Sequence, residues 1–318
     1  MEEELLRFEH VVQKHAGRNV LDDFKLNLFR GEIVNLIGVR GYENDCLMEL
    51  FSGQSPLIEG SFWFHEQKTD LTKRPLQPSK GVVCIRKQSN LIPQMTVGEN
   101  LFVIKSNRHK FFLNIHAVYQ QTHYLLKKTG ISISADALAS GLCPAQCHYV
   151  EILRGMIQNA KLIVLEDIAE SYSDAEKEQL RKLLSEIAKQ KITILYLSFY
   201  PGAVLPVVDR IVLMHRGQHI RTYYPEETSE GELTDLVRRI NYGESTPSIV
   251  HSAGRVIFEI RELCTSNMSH PFSLKLHQGE IVGIYDNGQR ICSEVTDCIF
   301  EKRNWSKGTI LLDEEELQ

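Results

Sequence analysis

Residues 33–45 read IVNLIGVRGYEND, and the fold turns on how this stretch is read. Ile33–Gly38 is a short apolar run of buried-strand length that closes on a glycine-containing loop, and Cys46–Phe51 then takes up a helical pattern. Working outward, Leu162–Leu165 (LIVL) is a second buried-strand candidate, ended by two acids, Glu166 and Asp167. Ser173 followed by Glu176 forms a capping-box pattern. Leu180, Leu183, Leu184 and Ile187 then mark one face of an amphipathic helix. Ile192–Ser198 (ITILYLS) and Ile211–His215 (IVLMH) add two strands. Strands alternating with helices predict an α/β fold, a sheet with helices packed on it. From roughly Thr96 to Met156 the pattern is mostly helical instead, as expected of a helical subdomain inserted at about 94–158.

Internal similarity organises the rest of the chain. FKLNLFRGEIV at Phe24–Val34 returns as FSLKLHQGEIV at Phe272–Val282. Gly31 and Gly279 are separated by the same distance as Gly60 and Gly308, and each of the latter pair precedes an apolar strand pattern, SFWF and TILL. Matching both ends without a gap predicts one full domain (1–228) and the opening of a second copy (255–318), shortened before it builds its own core. Tyr224–Ser252 is rich in Glu, Ser, Thr and Pro around one helix-like stretch (GELTDLVRRINYG), a composition expected of a linker, placed at 229–254.

Composition bounds the function classes. The chain has 318 residues, 42% hydrophobic and 24% charged, as in an ordinary globular protein. A formal charge of −5 points away from nucleic acid as a partner. No apolar run approaches bilayer length and the start, MEEELLRFEH, is acidic rather than signal-like, so a cytoplasmic setting is expected. The seven cysteines contain no CxxC pair and read as reduced thiols.

A strand, a loop beginning at Gly38 and a later apolar strand ending in acids is the layout of P-loop ATPases. Around it the wording resembles ABC ATPases, specifically the tandem-domain kind serving ribose-, galactose- or nucleoside-type importers. LLRFEHVVQKHAGRNVLDDFKLNLFRGEIVNLIG is similar to their opening, and SNLIPQMTVGENLFV to the segment after the Q-loop. LCPAQCHYVEILRGMIQNAKLIVLEDIAESYSDAE resembles the signature, Walker B and D-loop in order. ITILYLSFYPGAVLPVVDRIVLMHRGQ resembles the H-loop strand and its following hairpin. The resemblance implies ATP and Mg²⁺ as cofactors, permease subunits and a solute-binding protein as partners, and pairing of ABC domains. It also implies a peripheral position at the inner face of the membrane.

The site residues depart from the family. The phosphate loop follows G-x-x-x-x-G-K-[ST], in which glycines admit close backbone approach, Lys neutralises phosphate and the hydroxyl holds Mg²⁺. Here Gly38, Arg40 and Gly41 lead into Glu43 for the second glycine, Asn44 for the lysine and Asp45 for the hydroxyl residue, followed by Cys46. One charge–charge interaction at close range is on the order of 4 kcal/mol at an effective dielectric of about 20. A helix N-terminus offers roughly 1 kcal/mol per anionic charge, so the exchange disfavours a polyphosphate.

The resemblance places the other positions as well. At the A-loop stands His15, and the Q-loop glutamine aligns with Lys87, with Gln88 adjacent. The signature is Leu142, Cys143, Pro144, Ala145 and Gln146, where Cys143 replaces serine and Ala145 the phosphate-facing glycine. Walker B is inverted as Glu166-Asp167, with Asp167 in the place of the catalytic glutamate and Glu166, like Asp45, in reach of Mg²⁺. Phe199 stands where the H-loop histidine belongs. The second copy, GIYDNGQRICSE, also lacks GK[ST]. The expectation is a degenerate subunit that binds ATP poorly and hydrolyses little or none, docking on a permease through about 87–103. Two alternatives stay open: a slow but working ATPase paired with an intact partner, and a regulatory protein outside transport.

Overall fold

The computed structural model describes residues 3–15, 17–70, 81–102, 115–243, 254–266, 268, 270–284, 291–300, 302, 304–313 and 315–316. They fall into two compact units, residues 1–244 and 245–318.

In the first unit, β1 (Glu4–His15) and β2 (Arg18–Phe29) form a long antiparallel pair, followed by β3 (Ile33–Ile37) and α1 (Gly41–Ser52). Next come β4 (Glu59–Phe64), β5 (Gln67–Thr69), β6 (Val82–Ile85) and three helices, α2 (Val97–Phe102), α3 (Ile115–Lys128) and α4 (Pro144–Ile157). β7 (Leu162–Glu166), α5 (Asp174–Ala188), β8 (Thr193–Leu197), β9 (Arg210–His215), β10 (Gln218–Tyr223) and α6 (Glu230–Tyr242) complete it. The main sheet has the order β10-β9-β3-β8-β7-β6, parallel except for the β10 edge.

Strand periodicity sends alternate residues of the central strands to opposite faces. Ile33 and Ile37 of β3 join Ile163, Leu165, Ile194 and Tyr196 in a core shared with α4 and α5. Val34 and Leu36 join Val164, Leu195 and Leu197 on the other face. That second face is covered by α1 and by a four-stranded antiparallel sheet, β2-β1-β4-β5. The alternation in LLRFEHVV, with Leu6, Phe8 and Val11 fully buried, is the sequence signal for this second sheet.

α5 begins as expected: the Ser173 N–H donates to the Glu176 carboxylate at 2.8 Å, and Leu180, Leu183, Leu184 and Ile187 are all fully buried. α2, α3 and α4 occupy the stretch read as helical, residues 103–114 of which lie outside the described residues.

Two expectations need correction. Residues 230–242 are not linker. They form α6, capped by Ser229, whose hydroxyl accepts the Glu232 N–H at 3.3 Å, and they bury Leu233 and Val237 in the main core. The polar composition misled because an amphipathic helix needs only one apolar stripe. The helix after β3 also starts at Gly41, not near Cys46, for a reason that belongs to the site.

In the second unit, β11 (Val256–Cys264), β12 (Phe272–His277), α7 (Ile291–Ile299), β13 (Lys307–Leu312) and β14 (Glu315–Glu316) build an antiparallel sheet of order β12-β11-β13-β14. Ile260, Leu263, Val295, Cys298 and Ile310 form its small core. β11 breaks register with β13 between Arg261 and Cys264, where Glu262 has φ 46°. β1 breaks register with β4 between Glu9 and Val12, where His10 has φ 52°. Gly308 and Gly60 face these two bulges, and a Cβ at either would lie 2.5 Å and 2.7 Å from the opposing backbone, so only glycine fits.

Candidate functional site

The carboxyl ends of β3, β8 and β7 converge, which in an open parallel sheet is where ligands bind. The chain leaving β3 is stitched to the segment after β8: the Gly38 N–H donates to the Phe199 carbonyl at 3.0 Å and the Val39 N–H to the Ser198 carbonyl at 3.2 Å. Gly38 sits at φ 84°, and a Cβ there would meet the Met214 carbonyl oxygen at 2.2 Å. No other residue type is accommodated at this turn. The Asp167 N–H donates to the Leu197 carbonyl at 2.8 Å, which draws the end of β7 to the same place. Between these ends lies a cleft of about 370 Å³, walled by Arg40, Gly41, Asn44, Lys87, Asp167, Glu170, Ser198, Phe199 and Tyr242, with Val39 and Leu197.

The segment aligned with the phosphate loop is helix from Gly41 onward. Arg40 is its N-cap, and the Glu43 carboxylate accepts the Arg40 N–H at 2.8 Å, a one-sided cap built by a carboxylate three residues into the helix, since a guanidinium cannot accept in return. Glu43 is 1% exposed, and burial raises its pKa above the ordinary carboxylate value while the Arg40 N–H and guanidinium oppose the rise. A backbone donor that an anion would use is therefore occupied from within the chain. Expected site residues separate here. Asn44 lines the cleft, but Glu43 turns inward, and Cys46 is buried in the core with its thiol pushed by burial up to about 12. Asp45 is exposed, 3.9 Å from Arg86 Nη1. The side chain of His15 lies outside the described residues.

Glu166 is held by neighbours rather than open to a cation. Its Oε1 accepts from Asn44 Nδ2 at 2.8 Å and its Oε2 from the Lys87 N–H at 3.3 Å. Lys87 Nζ in turn pairs with Glu170 at 2.5 Å, so the side chain in the Q-loop position is a cation over three acids. Arg40 is similarly engaged: Nε and Nη2 donate to Asn241 Oδ1 of α6 at 3.2 and 2.6 Å. Asp167, at φ 28°, has its carboxyl raised from 3.8 to about 6, chiefly by burial, with Glu170 adding to the rise. The Lys87 ammonium, the Tyr196 hydroxyl and the Phe199 N–H oppose it. Among the described residues no group of three or more His, Cys, Asp or Glu could hold a metal ion.

Phe199, whose ring has no proton to transfer, edges onto Tyr200 (4.6 Å between centroids) and Tyr242 (6.3 Å), giving the cleft an aromatic wall. The signature residues 142–146 do not line the cleft; they open α4. Cys143 is the N-cap, its N–H donating to Gln146 Oε1 at 3.0 Å, with Pro144 at the first helical position and Ala145 buried beneath. Gln88 is exposed and apart from the cleft wall, whereas Lys87 is in it. Sequence reasoning missed Glu170, Ser198, Asn241 and Tyr242. The first two stand only a few residues from positions it named, and the last two lay in the supposed linker.

Comparison with known proteins agrees with this geometry. Residues 21–169 match the ABC transporter family. The ribose import ATP-binding protein RbsA of Oceanobacillus iheyensis is 24% identical over 310 residues, covering 97% of this chain and 62% of that protein. The xylose import ATP-binding protein XylG of Thermoanaerobacter pseudethanolicus is 25% identical over 293 residues, covering 89% and 58%. The chain thus spans about three fifths of these relatives' length. The ADP conformation of MJ1267, an ATP-binding cassette of an ABC transporter, superposes with TM-score 0.64 at 22% identity, covering 76% of this chain and 99% of that one. CbiO1 from Clostridium perfringens, part of the ABC transporter complex cbiONQ, superposes with TM-score 0.62 at 20% identity, covering 76% and 96%. Among the described residues no helix is long and apolar enough to cross a membrane. Residues 21–169 thus match the ABC transporter family, and the first unit has the P-loop α/β fold seen in ATP-binding cassettes.

Proposed function

We propose that this chain is an ATP-binding-subunit homologue of a carbohydrate-type importer whose cassette binds Mg·ATP poorly and hydrolyses it little or not at all. It acts structurally or regulatorily beside permease subunits and a solute-binding protein, at the cytoplasmic face of the membrane. The relatives named for ribose and xylose import support the class of transporter. The family binds ATP with Mg²⁺ through a cradle of free N–H groups, a lysine and a hydroxyl. The residues here do not fit that group, and one observation carries the reading. Glu43 caps the Arg40 N–H from within, and Asn44, in the lysine position, is spent on Glu166. Arg40 does not make good the loss, because Asn241 holds it. We also read residues 255–318 as the opening of a second cassette. The sheet order and the glycine-faced bulge of the second unit repeat those of β1, β2 and β4, which supports that reading.

Calorimetric titration of the purified chain with Mg·ATP tests the proposal. The expected result is no binding tighter than roughly millimolar, as contact with a mobile surface anion would give about 4 kcal/mol or less. Replacing Glu43→Gly, Asn44→Lys and Asp45→Ser together should create measurable affinity, since all three changes are needed to free the cap, supply the cation and supply the hydroxyl. Submillimolar binding by the unaltered chain would overturn the reading.

A further inference from the structure

We propose that Lys87 is a three-point clamp that ties the loop after β6 to β7 and to α4 with no bound ligand required. Each of its three polar handles goes to a different element. The N–H donates to Glu166 at the end of β7 (3.3 Å), the carbonyl accepts from His148 Nε2 in α4 (3.0 Å), and the ammonium pairs with Glu170 beyond β7 (2.5 Å). The clamp continues on either side. The Asn90 N–H donates to Glu151 Oε1 of α4 at 2.8 Å, and His148 Nδ1 meets the Tyr172 hydroxyl at 2.7 Å.

The chemistry of His148 makes the middle point the strongest. Its ring is 2% exposed, so water cannot substitute for either partner. A carbonyl can only accept, so the proton must sit on Nε2. Burial lowers the pKa of the ring and favours its neutral form, in which Nδ1 accepts the Tyr172 O–H and both nitrogens are used. The ammonium point is the weakest, since Lys87 and Glu170 are 48% and 70% exposed and solvent screens them. Residue 87 stands at the Q-loop position, so the loop that a nucleotide would otherwise engage is held by protein groups. The inference deepens the function proposed above, and rests on it only in claiming that no ligand is needed.

Amide hydrogen exchange of the full chain, read on peptides spanning residues 86–91, tests it. His148→Leu should accelerate exchange there by about tenfold, the loss of one desolvated hydrogen bond. His148→Gln keeps an N–H for the Lys87 carbonyl and should stay within about threefold of the parent. Glu166→Met, a half-buried change that removes the acceptor of the Lys87 N–H, should also accelerate exchange, and serves if His148→Leu does not fold. Lys87→Met removes only the screened ion pair and should change the rate by less than about twofold. Millimolar Mg·ATP should leave the parent's rate unchanged. Unaltered exchange in both His148→Leu and Glu166→Met would overturn the clamp, as would equal acceleration by His148→Leu and His148→Gln, which marks ring packing alone. Slowing of the parent by Mg·ATP would refute ligand independence. Calorimetric ATP binding without any change in exchange would sink the function proposed above and leave the clamp standing.

Discussion

Replacing Asp167→Asn should make this protein more stable at pH 8. Asp167 is a half-buried carboxylate just after β7 whose pKa is raised from 3.8 to about 6, first by desolvation and then by Glu170, and only partly relieved by Lys87. The folded chain holds that proton between about pH 4 and 6 while the unfolded chain releases it. The raised value therefore favours folding at low pH and costs stability as pH rises through the window, with the full cost above about pH 6. At roughly 1.4 kcal/mol per pH unit across a window of about two units, the ionised carboxylate costs about 3 kcal/mol. Asparagine removes the charge but turns one amide nitrogen toward donors that the carboxylate served, the Tyr196 hydroxyl or the Phe199 N–H. Losing one such bond returns about 1 kcal/mol, for a net gain of about 2 kcal/mol. Thermal melts at pH 8 should then show Tm raised by roughly 4–8 °C for a unit of this size. At pH 5 the folded carboxyl is mostly protonated, and the advantage should shrink by about 1 kcal/mol. A variant no more stable than the parent at pH 8, or an advantage independent of pH, would refute the claim that burial governs this carboxylate.

Two further outcomes follow from buried groups elsewhere in the first unit. Arg210 and Glu32, 11% and 10% exposed, make a bidentate pair at 2.7 and 3.0 Å; Arg210→Ala strands the Glu32 carboxylate and should cost about 3–5 kcal/mol. Urea denaturation measures it, and a loss under about 1 kcal/mol would mean that water reaches the pair. Glu43→Ala should cost about 1–2 kcal/mol in the same assay through the lost cap on α1. Glu43→Gln keeps an acceptor for the Arg40 N–H and, because burial already raises the Glu43 pKa, should lose nothing at pH 8; equal losses in both variants would show that packing rather than the cap is at work.

The strands around this site were legible because burial on both faces leaves a local mark. IVNLI, LIVL and IVLMH are largely apolar runs, broken by Asn35 in the first and closed by His215 in the last, and all three lie inside the main sheet. The capping box at Ser173 was legible for the same reason, since both partners lie three residues apart. What escaped was non-local or rested on a weaker pattern. α6 carries a single apolar stripe within polar sequence, and only its packing of Leu233 and Val237 distinguishes it from linker.

At the position that resembles the phosphate loop, the sequence alone puts Glu43, Asn44 and Asp45 where the family pattern has glycine, lysine and a hydroxyl residue. They suggested that Glu43 and Asp45 would face a ligand as two negative charges. The tertiary structure decides otherwise: Glu43 turns inward to cap its own helix, Asp45 points to solvent near Arg86, and Lys87 supplies a cation among the acids. Charge is a property of the residue and can be read from a letter. Direction depends on which face of a helix the fold buries, and partners 79 to 201 residues distant in the chain, from Glu166 for Lys87 to Asn241 for Arg40, set it.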